Sequence, residues 1–340
     1  MINLRDLQLN ELEEVLVSMG QPKFRAKQIF QWIYRGITEF DEMNNVPKAL
    51  REILSENFTI GRLQTLEVQK SGTDGTRKYL FQLTDGNTIE SVFMKYKYGN
   101  SICVSSQAGC RMGCRFCASA RNGLARSLTP GEIIAQLMEA EADTGEKIGH
   151  IVVMGTGEPF DNYDNLAAFL RIVNHKDGLN IGMRNITVST CGLVPVIERF
   201  ARDFPQVNLA ISLHGTTDEI RSSMMPVNNR YPLKILLSAC RDYTEQTGRR
   251  ITFEYTLVNG VNDSDEDAER LCRLLNGMLC HVNLIPLNKV AEAGFDTVSR
   301  GRAAQFQKFL SGRGIAATIR RELGADIDAA CGQLRLGRSQ

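Results

Sequence analysis

The chain has 340 residues, 43% hydrophobic and 23% charged, which excludes a disordered or collagen-like protein and leaves room for one large domain or two small ones. Forty Lys plus Arg face thirty-nine Asp plus Glu, a formal net charge of +1, so any polyanion must be met by a local patch and not by bulk charge. No run approaches the roughly eighteen uninterrupted apolar residues of a membrane helix, so cytoplasm is the expected location and no membrane partner is expected.

Residues 1–60 predict a helical module: LNELEEVLVSM, FRAKQIFQWIYRG ending at Gly36, and VPKALREILSENF with Pro47 near its start all carry apolar residues at helical spacing. The module reads as separate from the rest of the chain. Residues 61–98 change period. KYLFQL and TIESVFMKY are β-rich runs around Asp85-Gly86, which predicts a β-hairpin bridging the two parts.

Residues 99–322 alternate strand and helix. SICVSSQ, HIVVMG, NITVST, VNLAISL, RITFEYTLV and HVNLIPL precede helix-like segments near 130–143, 163–174, 194–203, 232–246, 264–276 and 300–311. Apolar strands joined through helices predict an α/β fold with a parallel sheet, and six units suggest an incomplete (β/α)6 TIM-like barrel. Polar residues collect just after the strands, at 155–158, 189–190, 212–214 and Asn288, where barrels place their chemistry. A short apolar stretch, AATIRR, leads into a polar C-terminal loop over 323–340.

Nine cysteines in a chain of this size are better material for metal or thiol chemistry than for a disulfide framework. Cys110, Cys114 and Cys117 form C-x3-C-x2-C after the first barrel strand. Three thiolates can hold three corners of a 4Fe-4S cluster and leave the fourth iron open, whereas structural zinc wants four closed ligands. A zinc site completed by Cys103 or by a residue remote in sequence stays open as the alternative.

This cysteine spacing resembles the signature of the radical S-adenosylmethionine (SAM) superfamily, and Met154-Gly155-Thr156-Gly157-Glu158-Pro159 resembles its glycine-rich turn at the methionine part of SAM. With QAGCRMGCRFC, ITVSTCG, SLHG, MPVNNRYP, HVNLIPLN and DIDAACGQL, the chain from about residue 90 to 334 resembles the RlmN and Cfr family of RNA adenine methyltransferases, as does the helical module. The resemblance implies a 4Fe-4S cluster on Cys110, Cys114 and Cys117. It implies SAM contacts at Gly157, Glu158, Ser189, Ser212, Leu213, His214 and Asn288, with Glu158 near the ammonium.

It also implies work for two further thiols. Adenine C2 lies between two ring nitrogens and cannot displace the methyl group of SAM directly. The family first places the methyl group on a thiolate matching Cys331, and a radical made from a second SAM then activates it, so two SAM are used per turnover. Cys103 is expected to resolve the enzyme–RNA adduct by forming a disulfide with Cys331, and Glu90 matches the proposed general base. Read alone, Glu90 has a solvent-facing position on the hairpin as its lesser alternative. The implied substrates are 23S ribosomal RNA at the peptidyl transferase centre and transfer RNA next to the anticodon, with flavodoxin or ferredoxin as electron donor. Cfr-type C8 methylation and a non-catalytic, metal-containing RNA-binding protein are the rivals.

Cys191, Cys240, Cys272 and Cys280 are expected to be packing residues, and His150, His175 and His281 to be structural or solvated. Local basicity surrounds both reacting ends. Residues 111–126 hold four arginines and no acid, and residues 299–340 hold eight Lys plus Arg against three acids. The helical module counts seven basic and nine acidic residues; only Lys23, Arg25, Lys27 and Arg35, interleaved with Phe24, Trp32 and Tyr34, look RNA-facing, unless those aromatics form its core.

Overall fold

The structure, a computed structural model, describes residues 1–287 and 295–327. Three helices open the chain, α1 (Leu9–Ser18), α2 (Phe24–Tyr34) and α3 (Lys48–Asn57). Each buries the stripe its spacing predicts: Leu12 and Leu16, then Ala26, Ile29, Phe30 and Ile33, then Leu50 and Leu54. Glu11 starts α1 by accepting the Gln8 amide at 2.7 Å.

Ten strands build the main sheet: β1 (Gln64–Lys70), β2 (Arg77–Gln82), β3 (Thr88–Tyr96), β4 (Gly99–Cys103), β5 (His150–Val153), β6 (Ile186–Thr190), β7 (Asn208–Ser212), β8 (Ile251–Leu257), β9 (Cys280–Pro286) and β10 (Ala317–Ile319). They lie side by side in chain order. Strands β4 to β10 run parallel, and β1 to β4 pair antiparallel. The sheet does not close on itself among the described residues, so the barrel is incomplete.

The parallel strands are joined through helices α4 (Pro130–Thr144), α5 (Tyr163–Asn174), α6 (Val194–Asp203), α7 (Asp218–Met224), α8 (Leu233–Thr247), α9 (Asp265–Leu275) and α10 (Arg300–Gly312). Helix α4 carries complete end signals. Thr129 and Glu132 cap each other's amides, Pro130 occupies the first turn, and Gly145 ends it with φ +69. No described helix is long and apolar enough to cross a membrane.

The hairpin that links the helical module to the barrel also extends the barrel sheet, because β3 pairs with β4 from Val92↔Cys103 to Tyr96↔Gly99. The apolar stripes of the module pack into one core with the barrel helices. Polar contacts fix that junction: Asp6 accepts the Gly131 amide of α4 at 2.8 Å, and Arg62 holds Glu139 through two bonds of 3.0 and 2.8 Å.

Gln136 of α4 ties the helix layer to the sheet. Its Oε1 accepts from Ser91 Oγ at 2.6 Å and from the Ser105 amide at 2.8 Å, while its Nε2 donates to the Ser105 carbonyl at 2.9 Å. Ser105 Oγ in turn donates to the Glu90 carbonyl and accepts the Thr156 amide. A leucine at 136 would strand several of these buried groups. Gln136→Leu is expected to lower unfolding free energy by about 2–3 kcal/mol, measured by urea denaturation.

Candidate active site

The cysteine loop is closed at its base by backbone. Gln107–Gly109 pairs antiparallel with Leu124–Ser127, and the Cys110 amide donates to the Gly123 carbonyl at 2.8 Å. Gly109, with φ +83, makes this possible: a Cβ there would stand 2.0 Å from the Gly123 oxygen. Within the loop the Cys117 amide donates to the Cys114 carbonyl, and the Arg115 amide reaches the Met224 carbonyl at the end of α7.

Cys110, Cys114 and Cys117 all line one cavity of about 170 Å³ at the carboxyl ends of the parallel strands. Burial pushes the Cys110 thiol up to about 12, and the neighbouring Glu158 and Cys117 add to this. Burial likewise raises Cys114, with Cys117 and Cys110 contributing. Such a set is readily deprotonated only against a cation, so its chemistry fits a thiolate-bound metal centre. Cys103 is not among the residues that line this cavity; it packs with Val92, Met94 and Leu323. Among the described residues no three His, Cys, Asp or Glu side chains converge on a single ion.

The turn after β5 is built to approach protein as well as ligand. A Cβ on Gly155 would meet Ser105 Oγ and the Val104 carbonyl at 2.7 Å, and one on Gly157, whose φ is +108, would meet Gln107 at 2.6 Å. The glycines therefore let this turn pack on the segment leading into the cysteine loop, while Gly155 and Gly157 also line the cavity. Gln107 locks the contact: its Oε1 accepts the Glu158 amide and its Nε2 donates to Asp161, both at 2.9 Å. Burial raises the pKa of the Glu158 carboxyl; its oxygens accept the Phe160 amide at 3.0 Å and the Cys191 amide at 2.7 Å.

Ser189, Ser212 and His214 line the opposite wall with Glu254. Leu213 does not; its side chain is fully buried in the core, and only its backbone serves the site, accepting from Arg221 at 3.1 Å. Arg221 is itself fully buried. It donates to the carbonyls of Cys191 at 2.7 Å and Ser212 at 3.2 Å, and to the Asn228 amide oxygen at 3.0 Å, so one guanidinium joins the ends of β6 and β7. Glu254 accepts from Asn283 at 2.8 Å; burial raises its carboxyl, and Arg320 opposes that rise.

Glu90 and Cys103 stand beside this cavity. Cys103 lies opposite both Val92 on β3 and Val152 on β5, so all three face the barrel interior, and Glu90, two residues from Val92, shares that face. Met154 packs with the Cys103 cluster and also lines the cavity, which makes the two regions contiguous. Glu90 is buried, with Lys78 Nζ at 2.9 Å, so the solvent-facing alternative is excluded. Asn288 and Cys331 lie outside the described residues.

Sequence reasoning missed Gln107, Arg221, Glu254 and the backbone role of Cys191, which lines the cavity although it was expected only to pack. Cys240 and Cys272 are core residues. His175 packs edge-on to Phe30, and His281 contacts Thr318. The arginine patch is partly neutralised: Arg111 pairs with Asp161 at 2.8 Å, and Arg126 with Asp85 and Glu132. In the helical module Tyr34 is core, whereas Phe24 is exposed beneath the Arg25 guanidinium at 4.8 Å.

His214 holds a left-handed φ of +53, and its Nδ1 accepts the Thr256 amide at 2.9 Å, which puts the proton of the neutral ring on Nε2. Burial, helped by the Arg221 charge, lowers its pKa to about 3. The unfolded ring binds a proton below about 6.5 while the folded ring does not, so this residue's contribution is flat above that pH and turns destabilising as pH falls toward 3. His214→Gln is expected to relieve ~2 kcal/mol of the stability lost between pH 7 and pH 5, measured by denaturant titration at both values.

The radical SAM superfamily matches residues 104–272, and the ribosomal RNA large subunit methyltransferase N-terminal domain matches residues 2–60. A probable dual-specificity RNA methyltransferase RlmN from Clostridium perfringens is 55% identical over 98% of this chain and 97% of its own length. Its counterpart from Geobacillus kaustophilus is 53% identical over 98% of this chain and 92% of its own. The crystal structure of a radical SAM methyltransferase from Sphaerobacter thermophilus superposes with a TM-score of 0.95 at 48% identity, covering 98% of this chain and 99% of that one. With an incomplete barrel, a three-cysteine loop at its mouth and relatives this similar end to end, the chain belongs to the RlmN family of radical SAM methyltransferases.

Proposed function

We propose that the chain methylates C2 of adenosine in RNA, in 23S ribosomal RNA at the peptidyl transferase centre and in transfer RNA next to the anticodon, through an S-methylated Cys331. The observation that carries this reading is the shared interior face of Cys103 and Glu90, contiguous through Met154 with the cavity that the three cysteines line. The words dual-specificity and RNA in the names of the similar proteins support two RNA substrates.

Cys110, Cys114 and Cys117 would hold a 4Fe-4S cluster, which when bound supplies the electron that makes SAM a radical source. The chain's own residues do the rest. Gly157, Glu158, Ser189, Ser212, the Leu213 backbone, His214 and Asn288 hold SAM, with the neutral His214 ring offering an Nε2–H donor. Two SAM are used per turnover, one as the methyl source and one as the radical source. Cys331 accepts a methyl group as its thiolate displaces the sulfonium. Glu90, paired with Lys78, accepts the C2 proton after the carbon has joined the base. Cys103, as its thiolate, takes the Cys331 sulfur into a disulfide as the carbon–sulfur bond breaks; the methylene left on the base takes up a proton to become the methyl group, and the unpaired electron of the adduct is returned to the electron-transfer chain. The two thiols end oxidised, so a thiol reductant must reset them. A flavodoxin or ferredoxin in the cytoplasm supplies electrons.

The decisive experiment is mass spectrometry of RNA from cells with and without the protein. Appearance of 2-methyladenosine supports the reading; 8-methyladenosine alone, or neither, overturns it. Cys331→Ala is expected to retain iron and lose methyl transfer, measured by iron assay and by label from methyl-labelled SAM. Cys103→Ala is expected to accumulate a covalent protein–RNA adduct, seen as a slow band on a denaturing gel. Cys114→Ala is expected to lose most bound iron after anaerobic reconstitution, measured by iron assay and visible absorbance.

A further inference from the structure

The turn between β1 and β2, at the edge of the sheet far from β10, makes contacts that neither the fold nor the proposed reaction requires. Ser71 Oγ donates to Asp326 Oδ1 at 2.7 Å, and the Gly72 amide donates to Asp326 Oδ2 at 2.8 Å. In the other direction the Gly324 amide donates to Asp74 Oδ2 at 2.8 Å. Each segment thus offers one carboxylate and receives one, across some 250 residues of sequence. Next to the pair, Leu323 is buried against Val92, Met94 and Cys103.

The turn is organised for this task. Asp74 accepts the Thr76 amide at 3.0 Å through its other oxygen, and Ser71 Oγ accepts the amides of Thr73 and Asp74 at 3.2 and 3.3 Å. Partial burial works against the Asp74 charge, but bonds from Thr76, Gly324 and Ser71 outweigh it and hold its pKa at about 2. On the other side Gly324 has φ +63, and the Ile327 amide donates to its carbonyl at 3.1 Å, so the segment turns where it is gripped.

We propose that the turn Ser71–Thr76 is the docking site of the C-terminal arm, with Asp74 and Asp326 as reciprocal positioning residues that keep Cys331 within reach of Cys103. Cys331 lies five residues beyond Asp326, a span of at most ~17 Å when extended. Leu323 anchors the root of that tether beside Cys103 itself. Bonds at an exposed carboxylate are each weak in water, so the clasp holds residues 324–326 reversibly, and a tether held at that point raises the effective concentration of one thiol at another. The docking stands on these contacts; its purpose rests on the reading of Cys331 as the methyl carrier.

The test uses the full-length, reduced protein and the variants Asp74→Ala, Asp326→Ala, Asp326→Asn and the double alanine. Hydrogen exchange of the peptide covering residues 323–327 reports docking, and the rate of Cys103–Cys331 disulfide formation with diamide, followed by peptide mass spectrometry, reports positioning. Each single alanine is expected to speed exchange and to slow the disulfide about tenfold, with Asp326→Asn between it and the parent. The double variant is expected to resemble the singles, because the clasp acts as one unit. Exchange unchanged from the parent overturns the docking; an unchanged disulfide rate, or no disulfide in the parent, overturns the positioning. Full methyl transfer by Cys331→Ala would instead overturn the carrier reading and leave the exchange result standing.

Discussion

The alternation of side chains across an unbroken sheet is the constraint on which the site depends. Strand β3 pairs with β4 without a bulge, so Val92 stands opposite Cys103 and every second residue of β3 faces the barrel interior. Ile89, Ser91 and Phe93 face the helices instead, where Ser91 meets Gln136. A slip of one residue would exchange Glu90 with its neighbours and place a carboxylate against the helix layer. The antiparallel extension thus serves two ends. It covers the edge of β4 that an open barrel would leave unpaired, and it carries the Lys78–Glu90 pair into the interior.

Buried charge then fixes the loops that the sheet only launches. Arg221 meets carbonyl dipoles at the ends of β6 and β7, so the chain segments bearing Cys191 and Ser212 are tied to α7. The same helix end receives the Arg115 amide from inside the cysteine loop. Glu158 does the matching work with negative charge, accepting amides from Phe160 and Cys191. The Arg221 cation, close to Cys114 and Cys191, offsets part of the negative charge that thiolates in this cavity would carry. Positioning of the wall and electrostatic tuning of the thiols therefore come from the same side chain.

Regular periodicity made much of this legible before any coordinates. Helices such as Phe24–Tyr34 and Pro130–Thr144 announce themselves by spacing and caps, and the Asp85-Gly86 hairpin by its turn. The cysteine spacing and the glycine turn named the site because their chemistry is local in sequence. Gln107 and Arg221 were illegible for the opposite reason: each acts on backbone groups from distant segments, and no spacing rule marks an arginine that will be buried among carbonyls. The seven-residue α7 is too short for a periodic signal, and β1, with mostly exposed side chains, lacks the apolar alternation that reveals strands. Counting charges overstates the free basicity of residues 111–126, since acids from elsewhere in the chain pair with Arg111 and Arg126.

That pairing changes how RNA could be gripped. An arginine held by a carboxylate must exchange one partner for another to meet a phosphate, so its net gain is smaller than that of a solvated cation. Arg111 and Arg126 accordingly count less toward affinity than solvated arginines would, and serve the loop geometry through Asp161, Asp85 and Glu132. The helical module shows the complementary case. Arg25 over Phe24 and Arg35 over Trp32 combine a cation with an aromatic face at or near the surface, a pairing suited to stacking on an unpaired base. The module's cation–aromatic pairs and the barrel's cysteine-lined cavity are thereby joined through the core that the two parts share.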